Sequence, residues 1–154
     1  MAKTQPIFVM AHQDWTKVEA GVQHAVVQVC TESREFDWQE PYVPGQQTET
    51  RASGFFIDDE GHLITVTHGV EHARLAWIRM PVFGSKILFA DVVGICPDRD
   101  VALMKLRPES VAVIKENLGT IPYLMLGSSD MVNHTDKILV LGYPLGQNNI
   151  KSST

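Results

Sequence analysis

The sequence predicts an all-β fold, built as a barrel or a sandwich. Short apolar and β-branched segments follow one another closely, polar turns separate most of them, and almost no segment has a helical period. A closed or layered sheet is the usual way for such strands to bury their apolar faces. The strands are expected at residues 25–30, 52–57, 62–66, 75–80, 86–95, 101–106 and 137–142.

Two short helices and one long loop interrupt these strands. Residues 14–23 are expected to form a helix, because Thr16 and Glu19 have the spacing of a capping box. Residues 35–50 contain prolines, glutamines and aromatic residues without a period, which predicts a loop. Residues 110–118 are expected to form a further helical turn that ends at Gly119.

Composition and charge exclude several classes of function. The 154 residues are 44% hydrophobic and 20% charged, which is typical of one compact domain. The formal net charge is −5 and the basic residues form no cluster, so no nucleic-acid partner is expected. No apolar run approaches the roughly 20 residues of a membrane span, which predicts a soluble protein without one.

The positions of the two cysteines indicate in which cellular compartment the protein is expected. Cys30 and Cys96 lie far apart in apolar, strand-like runs, which favours buried thiols over a disulfide. This interpretation favours the cytoplasm. A periplasmic or organellar location stays open if a signal sequence has been removed.

The first segment with chemical character is residues 53–70, a strand, a tight turn and a second strand followed by His68. A hairpin that holds one imidazole in a fixed place suits a general base. The segment resembles the HtrA/Deg family of trypsin-like serine proteases, in which S-G-F and a turn precede L-T-x-x-H-V-V. The resemblance identifies His68 with the catalytic histidine.

Two further segments carry the same resemblance. Residues 97–106 are similar to the family's D-[LIV]-A-L-L-K-[LIV] strand, which identifies Asp100 with the triad aspartate and leaves Asp98 in the preceding turn. In such a triad the aspartate accepts the imidazole Nδ1–H and fixes the tautomer. Residues 124–130 and 136–146 are similar to the family's entry into its second barrel. The loop with Trp38 and residues 70–72 resemble the plant-type Deg branch of the family in particular.

The resemblance implies a domain organisation. An N-terminal segment with a short helix is expected at 1–24, and the trypsin-like, six-stranded N-terminal β-barrel at 25–121. Residues 122–154 would begin a second, truncated barrel and would expose strand edges and apolar surface.

The nucleophilic serine is expected outside this chain. No G-x-S-G-G occurs in residues 1–154, and the serines nearest to the resembling blocks lack flanking glycines whose amides could form an oxyanion hole. These serines are Ser53, Ser128 and Ser129. The chain alone is therefore expected to be inactive.

The resemblance implies that the parent protein is an ATP-independent serine endopeptidase of protein quality control without a cofactor. Its partners would be unfolded or misfolded polypeptides, the remaining protease barrel, and further copies in a trimer-based homo-oligomer. Two alternatives stay open: a catalytically inactive, protease-like chaperone or binding module, and an assembly scaffold.

Three other features have competing interpretations. His68 and His72 have the i, i+4 spacing of two zinc ligands on a helix, but no third ligand is apparent, so no metal is expected. Aromatic residues of the 35–50 loop could pack against one another or bind a partner. Apolar residues near the N-terminus could likewise pack within the chain or support trimerisation. The first group is Phe36, Trp38 and Tyr42, and the second is Ile7, Phe8 and Trp15.

Overall fold

The computed structural model describes residues 15–34, 38–144 and 149–153. Along the chain, helix α1 precedes strands β1 to β6, and helix α2 separates these from strands β7 and β8. The helices are α1 (Trp15–Val22) and α2 (Pro108–Leu118). The strands are β1 (Val26–Arg34), β2 (Gln47–Phe56), β3 (His62–Thr65), β4 (Leu75–Arg79), β5 (Leu88–Cys96), β6 (Val101–Leu106), β7 (Val140–Gly142) and β8 (Lys151–Ser153).

The first six strands form a closed antiparallel barrel, which confirms the predicted fold class. Their order around the barrel is β1-β2-β3-β6-β5-β4. Strand β1 closes the barrel because it pairs with β2 on one side and with β4 on the other. Closure pairs the edges that an open sheet would expose.

The barrel interior is filled by side chains from every strand. The fully buried ones are large and apolar, and a buried residue of helix α2, Ile114, packs against one end of the same cluster. The core includes Val27, Val29, Phe56, Leu63, Ile78, Leu88, Met104 and Leu106. Burial of this apolar surface is the main force that stabilises the barrel.

Several element boundaries differ from the sequence-based expectation. Strand β1 continues to Arg34, and β2 begins at Gln47, inside the predicted loop. Helix α1 begins at Trp15, so Thr16 lies within it and not at its N-cap; the expected start at Asp14 lies outside the described residues. Helix α2 ends before Gly119, as predicted, where a positive φ of 79° stops the helix.

The segment after α2 is mostly irregular and lies against the outside of the barrel. Leu124 N donates to Phe56 O at 2.9 Å, and Tyr143 N donates to Ser53 Oγ at 2.8 Å. Strands β7 and β8 pair with each other in a separate two-stranded sheet. The segment leaves large apolar side chains in solvent, as expected for residues 122–154: Met125, Leu126, Met131, Val132, Ile138 and Val140.

The cysteine prediction is half wrong. Both thiols are free, and Cys30 is buried as expected. Cys96 is exposed, because it ends the part of β5 that lies beyond the packed core. Among the described residues, no helix is both long and apolar enough to cross a membrane.

Candidate active site

His68 lies in a single 3-10 turn, Thr67–Gly69, between strands β3 and β4. Side-chain hydroxyls fix both ends of this turn. Thr67 Oγ1 donates to Val101 O at 2.8 Å, and Thr31 Oγ1 donates to Gly69 O at 2.8 Å. The turn is therefore anchored to strands β6 and β1, which restrains the direction of the imidazole.

Asp100 follows another 3-10 turn, Pro97–Arg99, directly before β6. Its backbone is left-handed, with φ 52° and ψ 42°, and it is the only non-glycine residue with positive φ in the described part of the chain. Asp tolerates this region better than most residues. Asp100 N donates to Pro97 O at 3.1 Å and closes the turn.

The structure brings His68 and Asp100 together through two hydrogen bonds. Asp100 Oδ2 lies 2.5 Å from His68 Nδ1, and Asp100 Oδ1 accepts the backbone N–H of His68 at 2.9 Å. Since a carboxylate can only accept, Nδ1 carries the proton in this contact and a neutral ring has its lone pair on Nε2. No group in the described ranges makes a hydrogen bond with Nε2.

The pair lies at the surface. The His68 side chain is 71% exposed and that of Asp100 is 45% exposed. The hydrogen bond from the backbone N–H of His68 holds the pKa of Asp100 below its ordinary value, and the imidazole contact acts in the same direction. Asp100 is thus an anion near neutral pH and can stabilise an imidazolium.

Asp98, the neighbouring carboxylate, lies in the exposed turn Pro97–Arg99. No hydrogen bond or ion pair joins it to His68 within the described residues. The structure therefore pairs His68 with Asp100 alone.

A second His–Asp pair lies in the β2–β3 hairpin and was not anticipated from the sequence. His62 Nδ1 lies 2.6 Å from Asp58 Oδ2, and Asp58 Oδ1 accepts the N–H groups of Glu60 and His62. Burial raises the pKa of Asp58, but the hydrogen bonds from His62 and Glu60 outweigh it and lower the pKa. The signal in the sequence is the D-D-E-G-H turn, in which Asp58 organises the loop backbone.

This hairpin also holds the one group of three potential metal ligands found among the described residues. Ligand atoms of Asp58, Glu60 and His62 lie within 4.8 Å of one another. Two of them already bond to each other, and Glu60 lies 3.9 Å from Lys105 Nζ. His72 is highly exposed and lies 3.6 Å from Glu71, apart from that group.

Two aromatic side chains of the loop after β1, Trp38 and Tyr42, lie largely in solvent. Trp38 is 86% exposed and Tyr42 is 97% exposed, and both expectations for this aromatic group, packing on itself and binding a partner, stay predictions. Trp15 is half-buried. Phe36, Ile7 and Phe8 lie outside the described residues.

A cavity of about 470 Å³ lies beside the pair and has mainly apolar walls. Val18 and Val22 of α1 form one wall, Val101 and Asp100 contribute another, and Leu139 comes from the segment before β7. The surface next to the site is thus apolar and only partly covered.

In the described part of the chain, no serine hydroxyl bonds to His68. Ser53 instead accepts the Tyr143 N–H, and Ser128 and Ser129 lie exposed in the irregular segment. The structure therefore provides an imidazole with an orienting carboxylate. It does not place a nucleophile against that imidazole.

Comparison with known proteins gives a consistent set of relatives. The family described as "Trypsin-like peptidase domain" matches residues 52–154. A probable periplasmic serine endoprotease DegP-like of Chlamydia trachomatis is 28% identical over 103 residues, which are 67% of this chain and 18% of that protein. A putative serine protease HhoB of Synechocystis sp. is 27% identical over 116 residues, or 75% of this chain and 25% of that protein.

Solved structures show the same fold. The HtrA-type protease AlgW with tripeptide superposes with a TM-score of 0.68 at 20% identity, and the match covers 91% of this chain and 38% of that one. The chain thus spans about a fifth to a quarter of the length of the two curated relatives.

Proposed function

The chain belongs to the trypsin-like peptidase domain family, and from this premise we propose that His68 and Asp100 are the general base and the orienting carboxylate of a serine endopeptidase. The HtrA/Deg resemblance is confirmed by the DegP-like and HtrA-type relatives. The roles of the two residues rest on one observation, the 2.5 Å contact between His68 Nδ1 and Asp100 Oδ2.

The contact supports the proposal because it leaves the correct nitrogen available. With the Nδ1 proton held by Asp100, Nε2 can accept a proton from a serine hydroxyl as that oxygen attacks a peptide carbonyl. The imidazolium that forms lies against the Asp100 carboxylate, whose lowered pKa keeps it charged. The same Nε2 then donates its proton to the leaving amine.

We place the serine and its oxyanion hole in a second barrel of the parent protein, outside residues 1–154. The partly covered apolar cavity beside Asp100 and the exposed apolar residues after α2 are surfaces that such a barrel would bury. On this proposal residues 25–121 are the first barrel and residues 122–154 begin the second.

The biological role is proposed from the relatives. Proteases of this kind act on polypeptides, and we propose quality control of unfolded or misfolded chains, in a homo-oligomer, as the work of the parent protein. The DegP-like relatives are described as periplasmic, which favours the periplasmic alternative over the cytoplasm for this chain.

The test is proteolysis by the parent protein, or by this chain mixed with the second-barrel polypeptide. His68→Ala is expected to abolish turnover, because the proposed mechanism has no other base. Asp100→Asn is expected to lower kcat by about 10⁴, as in trypsin-like triads, because an amide favours the wrong tautomer.

Asp98→Asn is the matched control, since it removes the same charge two residues away and no contact with His68. It is expected to leave kcat within about twofold of wild type, like most surface changes away from a site. Equal loss in the Asp98 and Asp100 variants, with unchanged melting temperatures, would contradict the assignment.

A protease-like binding module is the second candidate. It is favoured by the apolar side chains left in solvent after α2, which could hold an unfolded polypeptide without cleaving it. A fluorophosphonate probe separates the two functions in the parent protein: labelling of a serine supports the protease, and absence of labelling together with suppressed aggregation of a client protein supports the binding module.

A further inference from the structure

Thr67 immediately precedes His68 and, unlike it, is almost completely buried. The Thr67 residue is 2% exposed, whereas the His68 side chain is 71% exposed. Thr67 begins the 3-10 turn Thr67–Gly69 that carries the imidazole. An exposed ring has few contacts that could fix its direction, so the position of the ring depends on the bonds that hold this turn in place.

Thr67 bonds to two consecutive carbonyl groups at the start of β6. Its backbone N–H donates to Asp100 O at 3.3 Å, and its Oγ1 donates to Val101 O at 2.8 Å. One buried residue therefore joins the segment that carries His68 to the segment that carries Asp100.

These bonds also restrain the backbone of Asp100. The ψ angle of Asp100 sets the direction of its carbonyl group, so the bond from Thr67 N–H helps to hold the left-handed conformation with φ 52° and ψ 42°. A non-glycine residue keeps such a backbone only where the surrounding structure determines it. The carboxylate extends from this restrained backbone. Its pKa is lowered first by the N–H of His68 and, among smaller contributions, by that of Thr67.

The hydroxyl of Thr67 differs from the other side-chain groups at this contact. The remaining side-chain hydrogen bonds between the turn and residues 97–106 are those of the Asp100 carboxylate with His68 itself. Among the residues that the structure describes, only the Thr67 hydroxyl links the two segments without using either member of the pair. It can therefore be removed while both members of the pair stay intact.

We propose that Thr67 is a positioning residue, whose buried hydroxyl holds the turn against β6 so that Asp100 keeps the imidazole proton on Nδ1. The inference rests on the proposed function, because the free Nε2 matters for catalysis only if His68 is the base. Without the hydroxyl, the turn shifts relative to β6 and the contact between Nδ1 and Oδ2 weakens. A neutral ring then also adopts the form with its proton on Nε2, which cannot accept a proton from a serine.

The experiment measures the tautomer of His68 in the complete 154-residue chain. The ¹⁵N shifts of both ring nitrogens are read through the carbon-bound ring protons and are assigned by their loss in His68→Ala. At about pH 9, where ordinary imidazoles are neutral, these shifts report which nitrogen carries the proton. Thr67→Val is expected to raise the ratio of the Nε2–H to the Nδ1–H form about two- to tenfold, the change that weakening one hydrogen bond produces.

Two further variants separate positioning from a general loss of stability. Thr67→Ser keeps the hydroxyl and is expected to keep the wild-type ratio. Thr65→Val is the matched control, since Thr65 is also buried and its hydroxyl donates to Ser53 O at 2.9 Å, away from the segment of Asp100. It is expected to keep the wild-type ratio even if its melting temperature falls as far as that of Thr67→Val.

An unchanged ratio in Thr67→Val, or an equal change in Thr65→Val, would overturn the proposal. Thr67→Ala takes the place of Thr67→Val if the latter does not fold, and the same outcomes decide. In the parent protein, Thr67→Val is expected to lower kcat about tenfold with little change in KM, because the base is misplaced while substrate binding is kept. A shifted ratio supports the role of Thr67 even if the parent protein has no endopeptidase activity, since the tautomer is measured without turnover.

Discussion

Replacing Gly54 by alanine tests a tight approach between strands β2 and β3. A Cβ at Gly54 would lie 2.8 Å from Val29 Cγ2 and 3.0 Å from the backbone oxygen of Ile64. Neither neighbour can move easily. Val29 is a β-branched residue in the core, and Ile64 O belongs to the strand that pairs with β2.

The expected cost follows from this geometry. Extra methyl groups forced into a packed core cost about 1–3 kcal/mol. In a chain of 150–250 residues, each kcal/mol lowers the melting temperature by about 2–4 °C. Gly54→Ala is therefore expected to melt roughly 2–12 °C below wild type, from the same two estimates.

Thermal unfolding and urea unfolding, both followed by circular dichroism, give the measurement. Gly94→Ala in β5 is the matched control, because a Cβ there meets nothing within 4 Å. It is expected to be neutral or to stabilise by up to about 1 kcal/mol. A Gly54→Ala protein as stable as the Gly94→Ala protein would refute the argument from close approach.

Three further predictions concern a carboxylate, the two thiols and the core. The carboxyl pKa of Asp100, followed by ¹³C NMR, should lie below its ordinary value, and His68→Ala should raise it; an unchanged pKa would contradict the contact. Because the folded pKa is lowered, this carboxylate stabilises the fold above its ordinary pKa, and the contribution is lost as the pH falls through the lowered value. Ellman's reagent should modify exposed Cys96 in the native protein and buried Cys30 only after unfolding, so simultaneous reaction of both would be inconsistent with the barrel. Met104→Ala, at a fully buried position, should lower the free energy of unfolding by about 2–5 kcal/mol in urea, and a loss well below 1 kcal/mol would mean that the core is not packed as described.

The apolar part of the barrel could be predicted from the sequence, and its polar extensions could not. Strand β6 was placed at its observed bounds, since a buried strand needs β-branched and apolar residues. The ends of β1 and β2 pair Arg34 with Gln47 and Thr31 with Thr50. These residues are mostly polar, so they lack the alternation of apolar and polar residues that indicates a strand with one buried face.

Contacts that join distant segments also escaped sequence analysis. The bond from Tyr143 N to Ser53 Oγ spans 90 residues, and nothing local in either segment indicates it. The His68–Asp100 pair was anticipated only through family resemblance, because no local pattern places residues 32 apart in contact. Cys96 was expected to be buried because it lies in an apolar, strand-like run, but residues 91–96 of β5 are exposed.

The left-handed backbone of Asp100 limits which residues could replace it during evolution. With φ at 52°, most side chains crowd their own carbonyl, whereas asparagine and glycine fit. If Asp100 has the proposed role, a duplicated copy no longer selected for that role would lose this carboxylate at least cost in stability through Asn or Gly. Valine or isoleucine at this position would destabilise the fold, because a β-branched side chain disfavours the left-handed backbone. On the proposed role of Asp100, Asn or Gly at this position in a paralogue would indicate that the paralogue lost that role while keeping its fold.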